Sequence, residues 1–126
     1  MGHVANWYGG WSLIAAAFVT GAVIGLRFHD ETFWGGYGSF RRRIVRLGHI
    51  ALAALGMMNV IYALAPWPAA ESFHGRGASI ALLAGAIAMP VVCFLTGWRE
   101  GFRRLFFVPV SLLISATVFI LVGGAG

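Results

Sequence analysis

Four long apolar runs, separated by linkers that carry most of the charge, constrain this chain more than any other feature. The runs cover residues 11–26, 47–65, 78–97 and 105–122, about 16 to 20 residues each. An α-helix needs roughly 20 apolar residues to cross a ~30 Å hydrocarbon core. The first run is short and borrows Trp7 and Tyr8 to reach that length. In lipid each backbone polar group must find its partner within the segment, so every run is expected to be a helix. The predicted fold is a single all-α domain over residues 1–126, an integral membrane four-helix transmembrane bundle.

Composition supports lipid as the solvent. The chain has 126 residues, 60% of them hydrophobic and 10% charged. Soluble domains carry about 25% charged residues, enough to cover a water-facing surface. The formal net charge is +5, and every basic residue is arginine. These arginines lie between the runs and not along one soluble face, which argues against a nucleic-acid partner. The single cysteine, Cys93, sits inside the third run and has no internal disulfide partner. Residues 1–10 contain no basic side chain, so the first run reads as a retained span and not as a secretory signal.

The linkers set an orientation. The first holds Arg27, Arg41, Arg42, Arg43 and Arg46 against Asp30 and Glu31, and the third holds Arg99, Arg103 and Arg104 against Glu100. The second holds only Arg76 and Glu71. Cytoplasmic loops are enriched in Lys and Arg, so the first and third linkers are expected inside and both termini outside. In a bacterial cytoplasmic membrane the termini would then be periplasmic. Arg41, Arg42, Arg43, Arg46, Arg103 and Arg104 are candidate contacts for anionic lipid headgroups.

Aromatic residues flank the runs at headgroup level: Trp7, Tyr8, Trp11 and Trp67 on the outer side, Trp34, Trp98, Phe106 and Phe107 on the inner side. Residues 28–40 combine five aromatic side chains with Gly35, Gly36 and Gly38 and run into the arginine triplet. A disordered linker has few aromatics, so this loop is expected in the inner interface or against another subunit.

Helix contacts are the best-supported role for the residues inside the spans. Gly21 and Gly25 form a GxxxG, which puts two small residues on one face and lets a second helix approach closely. Gly56 lies in a stretch with Ala51, Ala53 and Ala54. Asn59 and Tyr62, three residues apart, share adjoining parts of a helix face and should seek partners on other helices. Interhelical bonds are also expected of Ser111 and Ser115, one turn apart in the fourth span. Pro90 should kink the third span or free a carbonyl, and the short third linker makes the third and fourth helices antiparallel neighbours.

Chemistry is harder to find. His29 and His49 fall at the inner ends of the first two spans, His3 and His74 toward the outer side. A four-helix membrane cytochrome could ligate haem b through such residues, and His49, with His29, is the candidate cofactor ligand. Set against this, membrane haem ligands sit a turn or more inside their helices, and only His49 comes near that depth. His29, Asp30 and Glu31 with His49 could also be set against a metal, but no HExxH or paired-carboxylate helix motif supports a site. No Asp, Glu, Lys or Arg lies deep in any run, which argues against a small transporter or channel that works through intramembrane charge. No acid–base pair suggests catalysis within the membrane. The leading expectation is a small accessory or scaffold subunit of a larger membrane complex, respiratory or photosynthetic, with other membrane-protein subunits and anionic lipids as partners, no cofactor and no catalysis of its own. The alternative is a b-type cytochrome or quinone-reactive membrane anchor using His49.

Overall fold

The computed structural model describes residues 2–65 and 67–125. Met1 and Gly126, which bound the predicted domain, and Pro66, which opens the second linker, lie outside the described residues. Four helices carry the fold: α1 (Gly2–Arg27), α2 (Phe40–Leu64), α3 (Phe73–Trp98) and α4 (Phe107–Gly124). A 3-10 turn, Phe33–Gly35, lies between α1 and α2, and a 3-10 segment, Glu100–Phe106, leads into α4. All four helices are long and apolar enough to cross a membrane. The chain is an integral membrane protein built as a four-helix bundle.

The first three helices begin before their apolar runs do, because caps and side-chain partners, and not hydropathy, set their ends, while α4 begins at Phe107, two residues into its run, after the 3-10 segment. Ser39 caps α2, its Oγ accepting from the Arg42 amide at 3.3 Å. Ser72 caps α3, accepting from the Gly75 amide at 3.0 Å. The span expected from residue 11 starts at Gly2. The one expected from residue 47 starts at Phe40 and takes the arginine triplet into its first turn. With 26 residues, α1 and α3 are each about 39 Å long. Their ends therefore reach into the headgroup region or the helices tilt.

Neighbours in sequence are neighbours in space: α1 packs on α2, α2 on α3 and α3 on α4, with a smaller contact between α1 and α3. The most buried helix is α3 and the least buried is α4. Lipid supplies no hydrophobic drive between helices, so close packing at small residues has to hold them. Both core clusters fit this rule. Leu13, Ala17, Leu52 and Ala86 join α1, α2 and α3, while Tyr62, Ala78, Ala81, Leu82 and Ala116 join α2, α3 and α4. Helices α1 and α2 approach closely at Gly10 and Gly56. A Cβ on Gly10 would lie 2.7 Å from the Gly56 carbonyl oxygen, and one on Gly56 would lie 2.9 Å from that of Gly10. Helix α3 continues unbroken through Pro90.

Candidate functional site

Three polar clusters interrupt this apolar frame. The first joins three helices. Asn6 of α1 donates through Nδ2 to Asn59 Oδ1 of α2 at 2.7 Å and to the Ser79 carbonyl of α3 at 3.3 Å. The Ser79 hydroxyl donates to Asn6 Oδ1, and Asn59 Nδ2 donates to the Leu55 carbonyl at 2.9 Å. Asn6 and Asn59 are fully buried and Ser79 almost so. Both donations and the oxygen of Asn6, and the oxygen and one donation of Asn59, are directed at protein groups, so the cluster fixes helix register. One turn from Asn59, the buried Tyr62 hydroxyl donates to the Gly75 carbonyl at 3.0 Å, tying α2 to the start of α3.

The second cluster surrounds His49. Since α2 begins at Phe40, His49 lies nine residues in, about 13 Å along the helix. It is thus deeper than the apolar run alone suggested. Its Nδ1 is 3.0 Å from the Thr20 hydroxyl of α1, and that hydroxyl is 3.2 Å from the Ala17 carbonyl. If Thr20 donates to Ala17, His49 carries its proton on Nδ1 and donates to Thr20. The ring covers Gly21: a Cβ there would lie 2.9 Å from Cε1 and 3.4 Å from Nε2. Beside it, Thr20, Val23, Ile24, Val45 and Phe94 line an apolar cavity of about 220 Å³. His29 is elsewhere, exposed in the turn after α1. The two candidate haem ligands therefore stand at different depths and do not form a pair. Nor are His29, Asp30 and Glu31 gathered with His49 into a metal-binding group among the described residues. Instead Asp30 Oδ1 accepts from the Thr32 amide at 2.9 Å and the Thr32 hydroxyl at 2.8 Å. These bonds hold its carboxyl below the usual carboxylate range.

The third cluster is the arginine run, and it corrects an expectation. Arg42 is 2% exposed and cannot serve lipid headgroups. Its Nε donates to the Phe33 carbonyl at 2.6 Å, Nη1 to Phe28 at 3.4 Å and Nη2 to Asp30. The guanidinium also lies over the Phe28 ring, 4.8 Å from its centroid. Arg41 donates to the Gly97 and Trp98 carbonyls at 2.9 and 3.2 Å and lies over Trp34. Arg46 donates to the Tyr37 carbonyl at 3.1 Å and stacks on the Tyr37 ring. The last carbonyls of a helix lack intrahelical donors and carry partial negative charge. Arg41 and Arg42 supply donors at the ends of α3 and α1, so most of the first linker's charge is spent on the fold. Arg43, Arg103 and Arg104 remain exposed.

The two glycines of the GxxxG separate. Gly21 is pressed against His49, whereas Gly25 has nothing within 4 Å of its Cβ position. Ser111 and Ser115 do not bridge helices as expected. They donate back to the Phe107 and Ser111 carbonyls of α4 itself, and both are exposed. Back-bonding satisfies a hydroxyl within its own helix when no neighbour is close.

Asn6, Gly10, Thr20 and Ser79 did not stand out in the sequence, yet a signal for three of them was present. Asn6, Gly10, Leu13, Ala17, Thr20 and Ile24 recur at helical spacing and mark the face of α1 that meets α2 and α3. Comparison of the chain with family models, with characterised proteins and with solved structures finds no match.

Proposed function

We propose that this chain is a small accessory or scaffold subunit of a larger membrane-protein assembly, placed in a bacterial cytoplasmic membrane with both termini outside. The observation that carries the reading is the free face of α4. This helix rests on α3, with no comparable contact to α1 or α2. Its exposed side holds Ser111 and Ser115, four residues apart, between Val108, Ile114 and Val118. A small-xxx-small pair flanked by branched aliphatics is the surface on which membrane helices pair closely. The buried polar groups support the same reading from the other side, because they are engaged in holding helices together. A photo-crosslinking residue at Ile114, activated in native membranes, should yield a defined adduct with another membrane protein. The same residue at Phe18 on α1 serves as the comparison. Equal diffuse lipid labelling at both positions contradicts the proposal.

A second reading rests on His49. A ligating histidine is commonly held through its other ring nitrogen by a hydrogen bond, and Thr20 supplies such a bond. A b-type haem or a quinone headgroup would then use Nε2, after movement of the ring away from Gly21. A Soret band in the purified protein that is lost in His49→Ala is the result that would replace the first reading with this one.

A further inference from the structure

Of the four arginines at the head of α2, Arg41, Arg42 and Arg46 are committed to backbone carbonyls of the fold. Arg43 is not. It is exposed, and among the described residues its side chain has no hydrogen-bond, ion-pair or ring partner. It stands over an open groove of about 300 Å³ whose other walls are Phe40, Ile44 and Leu47. These four residues follow helical spacing and share one face of α2. The groove therefore runs along the helix, from the charged end into the span.

We infer that this groove holds one anionic glycerophospholipid, its phosphate on Arg43 beside Phe40 and an acyl chain running into the span past Ile44 and along Leu47. The inference does not depend on the subunit reading. Two features on one helix face single out a lipid. A guanidinium offers several donors in a planar fork that matches phosphate, and the positive end of the α2 dipole adds to its attraction. Leu47, exposed one turn toward the span from Arg43, and the small exposed edge of Ile44 lie where a chain attached to that phosphate must go, while Phe40 closes the groove on the headgroup side. An acidic side chain of a protein partner would satisfy the arginine and leave the groove unfilled. Arg103 and Arg104 lack this combination. Their cavity is lined by Glu100, Gly101 and the two arginines, with no apolar wall and with a carboxylate that competes for them.

The test uses the full chain in vesicles of mixed phosphatidylglycerol and phosphatidylcholine, extracted mildly and weighed by native mass spectrometry. One phosphatidylglycerol per chain should be retained, preferred over phosphatidylcholine by about fivefold. Arg43→Gln should abolish the preference. Leu47→Trp, which keeps the charge and fills the groove, should reduce retention. Arg103→Gln should change neither. Circular dichroism of each variant checks that the helices are intact. Four results overturn the inference: equal retention of the two lipids by the unaltered chain, undiminished preference in Arg43→Gln, displacement of the lipid by millimolar inorganic phosphate, or loss of a co-purifying protein instead of a lipid from Arg43→Gln.

Discussion

Asn6 Nδ2 meets Asn59 Oδ1 at 2.7 Å across the α1–α2 interface, with 53 residues of chain between them. Both amides are fully buried, and Ser79 of α3 closes the cluster. This bond fixes the rotation of α1 against its neighbours. Interhelical hydrogen bonds in membranes contribute only about 0.6–1.7 kcal/mol, because the separated helices find other partners in lipid. Asn6→Ala and Asn59→Ala should each weaken the fold modestly and leave assembly intact. Their double-mutant cycle in a reversible detergent-unfolding titration should show coupling of that size. Strict additivity would mean that the two amides do not interact.

Gly10 and Gly56 should be the more sensitive pair. Each places a neighbouring carbonyl oxygen within 2.9 Å of where a Cβ would go. A backbone atom cannot swing aside as a long side chain can, so the helices must separate. Gly56→Ala is expected to cost about 1–3 kcal/mol, the usual range for overpacking, while Gly25→Ala should cost almost nothing. Thermal denaturation in mild detergent ranks the two. A Gly25→Ala effect equal to that of Gly56→Ala would put the contact in the wrong place.

The spans were legible in the sequence as apolar runs, but their ends were not. Asn6 lowers the hydropathy of the first run, and the arginine triplet ends the second. In the fold, Asn6 is satisfied by Asn59 and Ser79, and Arg42 by three carbonyls, so both stay helical. The partners of Asn6 lie 53 and 73 residues away, and those of Arg42 are backbone carbonyls of the preceding loop, so neither set leaves a trace in hydropathy. The arginines illustrate the same point. Their count and position told which end of the molecule they occupy. Which of them stays free of the fold depended on where the 28–35 loop and the end of α3 came to rest. Gly56 is similarly ambiguous in a chain with 18 glycines, because its role is set by the register that brings Gly10 opposite.

Arg42 organises the loop between α1 and α2. Hydrogen bonds to charged groups are worth about 1.5–3 kcal/mol each, and Arg42 makes three to loop carbonyls. Arg42→Gln should accelerate amide exchange at Phe33 and Gly35, whose bonds to Asp30 and Thr32 build the turn. Arg43→Gln should leave that exchange unchanged. Equal acceleration in both variants would show that net charge, and not the directed hydrogen bonds, orders the loop.

Orientation can be tested with little background. The sole cysteine, Cys93, is fully buried and should not label. In intact cells, Ala69→Cys should react with an impermeant thiol reagent and Gly38→Cys should react only after lysis. The reverse pattern would invert the orientation that the positive-inside rule assigns.

Mass measurement after mild-detergent extraction addresses the subunit proposal most directly. The chain should migrate with other membrane-protein chains in a defined ratio, and Ser115→Phe, which fills the free face of α4, should release it while its own four helices stay folded. A lone 13.5 kDa chain, free of co-purifying proteins at every detergent strength tried, contradicts the proposal.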